Sequence, residues 1–144
     1  MRFYRKIKYS KKDVEIKQLF ASYNIIHVSC SKQVEDSFWE DEAQKIGELI
    51  PMGEDVETGN KNGNFWIDIK YDINHQNLYL HSNTRQPLHT DGSYESNPPD
   101  LSFFFCKIKA KFGGATTFLD LQILEQCMEV ECPLLLQQVK SESF

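Results

Sequence analysis

The sequence lacks any long apolar run. The longest, 101–106, has Ser102 inside it and is far shorter than the roughly 18 residues a helix needs to cross a bilayer, so a helical membrane span is excluded. No C-x-x-C pair occurs among Cys30, Cys106, Cys127 and Cys132, and the first residues lack the apolar stretch of an export signal. A disulfide framework is therefore excluded, and reduced thiols in a cytoplasmic protein are expected. Repeats and low-complexity tracts are missing too. With 7 glycines and 5 prolines in 144 residues, the chain is neither collagen-like nor compositionally disordered. What is present is 40% hydrophobic, 12% aromatic and 26% charged residues, the make-up of a soluble globular protein with room for one domain of about 100–200 residues.

Charge is unevenly placed. Arg2, Arg5, Lys6, Lys8, Lys11 and Lys12 fall in the first twelve residues without an acid, leaving 10 basic against 21 acidic residues behind them. So acidic a body argues against a broad phosphate-binding surface, and neither nucleic acid nor a membrane is expected as partner. The start, 1–12, reads as a solvated basic segment, and 13–144 as part of a single domain.

Hydrophobic spacing organises the rest. Ser10 and Asp13 mark a helix start, and Ile16, Leu19, Phe20 and Tyr23 follow on one face, predicting a helix near 11–22. Residues 24–28 are rich in β-branched side chains and predict a buried strand, in which His27 is a core or edge histidine. Val34, Phe38, Trp39, Ala43 and Ile46 predict a second helix over 32–46, with Gly47 as a left-handed cap. Residues 51–64 read as a loop with a turn at Asn62-Gly63. Strict alternation predicts strands at 65–71 and 101–112, with shorter ones at 78–80 and 115–119 after a turn at Gly113-Gly114. His75 reads as polar turn surface, and the Phe103-Phe104-Phe105 run as sheet core. Asp120 should cap a helix carrying Leu121, Leu124 and Met128, and Pro133 should open another.

Polar and ionisable groups crowd the segment His81-Ser82-Asn83-Thr84-Arg85-Gln86-Pro87-Leu88-His89-Thr90-Asp91-Gly92-Ser93-Tyr94, between two predicted strands. In extended backbone His89 and Asp91 project to one side, so an imidazole nitrogen and a carboxylate oxygen can reach one metal ion. They are two thirds of the 2-His-1-carboxylate triad of non-haem Fe(II) enzymes. The spacing alone carries little weight, but its surroundings add to it. His89-Thr90-Asp91-Gly92-Ser93-Tyr94, then Asn97-Pro98-Pro99, a hydrophobic run, and Gly113-Gly114-Ala115-Thr116 through Asp120 together resemble the TauD/TfdA (taurine dioxygenase) family. Upstream, Tyr23 to Val28 and Gln44 to Leu49 resemble that family's first strand and the end of its following helix.

The resemblance implies an Fe(II)- and 2-oxoglutarate-dependent dioxygenase that oxidises a small molecule. The implied fold is mainly β with flanking helices, a double-stranded β-helix or jelly roll. It makes His89 and Asp91 iron ligands, and it places Thr116 at the threonine that hydrogen-bonds the far carboxylate of 2-oxoglutarate. Because a carboxylate stands at Asp91, hydroxylation is favoured over halogenation. Asn83, Ser93 and Tyr94 are substrate-pocket candidates, with His81 and Arg85 behind them. Two features of the family are missing: a second histidine ligand and an arginine for 2-oxoglutarate, since no histidine or arginine follows Asp91. The expectation is therefore the N-terminal half of a dioxygenase domain, needing a complementary chain or C-terminal half. The isolated chain should form no succinate above an Asp91→Ala control. The alternative is a non-catalytic jelly-roll or cupin-like protein used for binding or assembly.

Overall fold

The computed structural model describes residues 1–9, 16–30, 35–93 and 95–142. Along the chain run strand β1 (Arg2–Lys8), helix α1 (Ile16–Leu19), strand β2 (Tyr23–Ser29), helix α2 (Asp36–Gln44), a single 3-10 turn (Tyr79–His81), helix α3 (Leu121–Glu131) and helix α4 (Pro133–Ser141). None of the described helices is long and apolar enough to cross a membrane. The chain divides into two compact units. One comprises Met1–Lys8, Gln18–Ser29 and Cys106–Phe144, the other Tyr9–Lys17 and Cys30–Phe105.

In the first unit β1 and β2 pair in parallel, with Arg2 opposite Tyr23, Lys6 opposite His27 and Lys8 opposite Ser29. Parallel pairing requires a crossover, and the segment containing α1 provides it. The basic start is thus a strand rather than a coil, although most of its side chains stay exposed. His27 sits on this sheet as an edge histidine, its Nδ1 2.9 Å from the Tyr4 hydroxyl. In the same unit Asp120 caps α3, its Oδ1 accepting from the Gln122 and Ile123 backbone N–H groups at 2.9 and 3.4 Å. Such a cap satisfies donors that the helix itself cannot, a contribution of about 1 kcal/mol. Pro133 opens α4, where its missing N–H costs nothing. An ion pair between Lys140 and Glu125 links the two helices.

The second unit is organised on α2. Trp39, 4% exposed, lies among Tyr9, Phe38, Phe103 and Phe105, with ring centroids 5.0–6.1 Å away in tilted or edge-on arrangements. Trp66 joins from the loop side, 6.3 Å from Phe103, and its indole N–H donates to Glu40. Each such aromatic pair adds about 0.5–1.5 kcal/mol beyond its burial. Phe103 and Phe105 both turn toward Trp39, but the Phe103-Phe104-Phe105 run is not sheet core: no strand forms there, and Phe103 and Phe104 are 37% and 54% exposed. Ile16, 6% exposed, is the other buried hydrophobic side chain among the described residues of this unit.

Several sequence expectations require correction. A mainly β jelly roll is not what the described residues form: β1 and β2 are their only strands. The alternating segments 65–71, 78–80, 101–112 and 115–119 have no ladder. Two backbone bonds, Lys70 N–H to Leu80 O and Asp72 N–H to His81 O, link the first of these segments to the second without forming a ladder. Alternation marks which face could be buried but supplies no neighbouring edge, and without one Ile69, Ile108 and Phe112 stay exposed, Phe112 at 95%. Helix α2 is shorter than 32–46, and the earlier part of that prediction falls partly outside the described residues, as does the Ser10–Asp13 start of the first helix. Lys45, in right-handed conformation, closes α2, so Gly47 is not its left-handed cap.

Candidate metal centre

The second unit carries the segment singled out by its polar density. A hairpin over 53–64 precedes it, closed by Gly53 N–H to Asn64 O (2.9 Å), Asn62 N–H to Gly53 O (3.0 Å) and Asp55 N–H to Asn60 O (2.8 Å). The Asp55 carboxylate caps the hairpin's tip. It accepts from the Thr58 hydroxyl and the Thr58 and Glu57 backbone N–H groups, which hold its pKa below the usual carboxylate value. Lys61 on this hairpin reaches Glu95, 2.5 Å away, and lies 3.8 Å from Glu54.

Glu95 ends the turn that Asp91 begins, its N–H donating to Gly92 O at 2.9 Å. Gly92 is buried with φ +66°, a left-handed conformation natural only to glycine, and a Cβ there would meet Pro99 Cδ at 2.7 Å. The turn brings Asp91 Oδ1 to 3.3 Å from His89 Nε2, with the side chains 45% and 56% exposed. On its other side the ring has Nδ1 2.9 Å from the Pro87 carbonyl oxygen. A carbonyl only accepts, so Nδ1 carries the proton and the neutral ring's lone pair is on Nε2. Two lone-pair atoms then face each other across 3.3 Å, an arrangement that a proton or a cation between them would relieve. Two donors placed at right angles about 2.1 Å from one ion stand about 3 Å apart, so the pair fits two adjacent positions of a metal's coordination sphere. The Nδ1–H to carbonyl bond is also what commonly orients a ligating histidine. Among the described residues no group of three or more His, Cys, Asp or Glu side chains is placed to hold a metal, so His89 and Asp91 offer two candidate donor atoms and not a complete set.

The other candidates are scattered. Asn83, Arg85 and Ser93 are exposed, Ser93 within the Asp91 turn, and Tyr94 lies outside the described residues. Thr116 is exposed and belongs to the first unit. His81 is a correction: rather than lining an open pocket it is 8% exposed, its Nδ1 bonded to Lys70 O at 3.2 Å. A second histidine site went unread in the sequence. His75 lies between two carboxylates, Nε2 3.0 Å from Glu57 Oε1 and Nδ1 2.9 Å from Asp72 Oδ2. Hydrogen bonds to Glu57 first and Asp72 second raise its pKa, and the bond from His75 lowers that of Asp72. The Asp72-to-His75 spacing is a turn signal, but Glu57 is 18 residues away and only folding brings it near.

Comparison with known proteins assigns the chain. The family model described as taurine catabolism dioxygenase TauD, TfdA family matches residues 7–139. The chain belongs to this family. No curated protein and no solved structure matches it. TauD/TfdA proteins are Fe(II)/2-oxoglutarate dioxygenases, so both the expected resemblance and the dioxygenase class are borne out at family level. Within the matched span of this TauD/TfdA chain fall His89, Asp91 and Thr116.

Proposed function

We propose that this chain serves an Fe(II)- and 2-oxoglutarate-dependent oxidation of a small molecule, with His89 Nε2 and Asp91 as two ligands of the iron. The observation carrying this is His89 Nε2 standing 3.3 Å from Asp91 Oδ1 while Nδ1 of the same ring faces Pro87 O at 2.9 Å. When bound, iron with O2 supplies the oxidising power, coupled to decarboxylation of 2-oxoglutarate to succinate. The protein's part is placement. Pro87 O holds the imidazole proton away from the metal side, Gly92 gives the turn that returns Asp91 toward His89, and Asp91 contributes the charge that favours a cation. Thr116, whose hydroxyl can donate one hydrogen bond, binds the far carboxylate of 2-oxoglutarate in this reading. Asn83, Ser93 and Tyr94 border the substrate. The remaining histidine and the arginine come from polypeptide other than these residues, so metal binding and turnover separate: this chain alone binds iron weakly and forms no succinate.

Anaerobic titration of the 144-residue chain with Fe(II), followed calorimetrically, tests the assignment. Binding should be lost in His89→Ala and in Asp91→Ala. Equal affinity in wild type and both variants would refute it.

A further inference from the structure

The turn that carries Asp91 is held from one side by the hairpin over 53–64. Two contacts of different kinds meet there. Met52, at the hairpin's foot, brings its Cε to within 3.8 Å of where a Cβ on Gly92 would stand, and Lys61 pairs with Glu95 at the far end of the same turn. Lys61 is itself fixed, because it bridges Glu54 across the hairpin and the hairpin is closed by the Gly53 and Asn64 backbone bonds. We infer that Lys61 and Glu95 are positioning residues: their ion pair uses the hairpin as a strut that keeps Asp91 opposite His89. This rests on the metal reading above for its consequence, but the strut itself is a property of the metal-free chain.

Ligand geometry needs such support because the pair is half exposed and, among the described residues, its own turn contributes one backbone bond, Glu95 N–H to Gly92 O. First ligands left without a supporting shell lose metal affinity. Lys61 and Glu95 side chains are 46% and 27% exposed, which places their pair in the class of partly screened surface pairs. That class corresponds to about a two- to five-fold change in a linked equilibrium.

Two readouts on the full chain test it. Amide hydrogen exchange at Glu95, without metal, should quicken about two- to five-fold in Lys61→Glu, which sets a third carboxylate against Glu54 and Glu95. Lys61→Arg should exchange as wild type does, and the swap Lys61→Glu/Glu95→Lys, which rebuilds the pair across the turn but leaves Glu54 facing a like charge, should restore part of the protection. In anaerobic Fe(II) titrations the same series should weaken by a similar factor and recover in part in the swap, with His89→Ala as the variant that abolishes binding. Unchanged Glu95 exchange in Lys61→Glu, or a swap that recovers none of the lost protection, overturns the strut. If exchange follows the charge series while Fe(II) affinity ignores it, Lys61 and Glu95 stabilise the turn only, and the positioning role is overturned. If His89→Ala leaves Fe(II) binding intact, it is the metal assignment that fails, and amide exchange still decides the strut.

Discussion

Gly92→Ala separates two costs that the Asp91 turn imposes on any side chain. The first is backbone: at φ +66° an L-residue with a Cβ is disfavoured by about 1–2 kcal/mol. The second is steric, since the added methyl would lie 2.7 Å from Pro99 Cδ and 3.5 Å from Pro99 Cγ. A pyrrolidine ring cannot rotate out of the way as a flexible side chain can, so either the turn or the segment bearing Pro99 must shift, at about 1–3 kcal/mol for overpacking. Together Gly92→Ala should cost about 2–5 kcal/mol. Gly59 provides the control, because its φ is +69° but nothing lies within 4 Å of where an added methyl would stand, so Gly59→Ala should cost only the backbone part. Urea midpoints measured by circular dichroism give both numbers, and adding Pro99→Ala to Gly92→Ala should recover the steric part. Fe(II) affinity should fall in Gly92→Ala and not in Gly59→Ala, since only the former displaces Asp91. Equal stability losses for the two glycines, or no recovery with Pro99→Ala, would refute the argument.

Two further outcomes follow from groups away from the turn. Trp39→Ala should destabilise by about 3–5 kcal/mol, the usual cost of emptying a large aromatic site. Trp39→Phe should cost less than half of that, because the buried Trp39 Nε1 has no hydrogen-bond partner among the described residues and its removal relieves a penalty of about 1–3 kcal/mol. A Phe variant as unstable as the Ala variant would contradict this. His75 is protonated more readily folded than unfolded, so its contribution to stability is full below its unfolded pKa of about 6.5 and is lost as pH rises through the raised folded value. Asp72 behaves oppositely, its contribution present above about 3.9 and lost as pH falls through the lowered value. Urea midpoints across pH should therefore decline above about 6.5 in wild type more than in His75→Gln, and parallel curves would show that the Glu57 and Asp72 contacts do not form.

How much was legible depends on how far along the chain each interaction reaches. The Asp120 cap, Pro133 at the start of α4, strand β2 and the aromatic face of α2 were readable because each is decided within one or two turns of local chain. Strand β1 was hidden by its charge: Arg2, Arg5, Lys6 and Lys8 look like solvated coil until β2 gives their backbone a partner. The expected strands 65–71 and 101–112 erred in the opposite direction, since their alternation was real and their partner was not among the described residues. Pattern names a face, and pairing needs an edge.

The same distinction governs the site. His89 and Asp91 are two residues apart, so their convergence follows from local geometry, and the sequence could nominate them. Pro87 O, which fixes the His89 tautomer, is also only two residues away, yet a backbone carbonyl leaves no mark in a sequence. Lys61 and Glu95 are 34 residues apart and each looks like ordinary surface charge, as Glu57 does 18 residues from His75. Candidate ligand atoms can thus be nominated by their chemistry, whereas the residues proposed to hold them in place become visible only once the chain has folded. Loss of a supporting residue should accordingly move affinity by a few-fold and be rescued by restoring the charge pattern, while loss of His89 or Asp91 should abolish binding beyond rescue, and that difference in kind is the measurable boundary between the two roles.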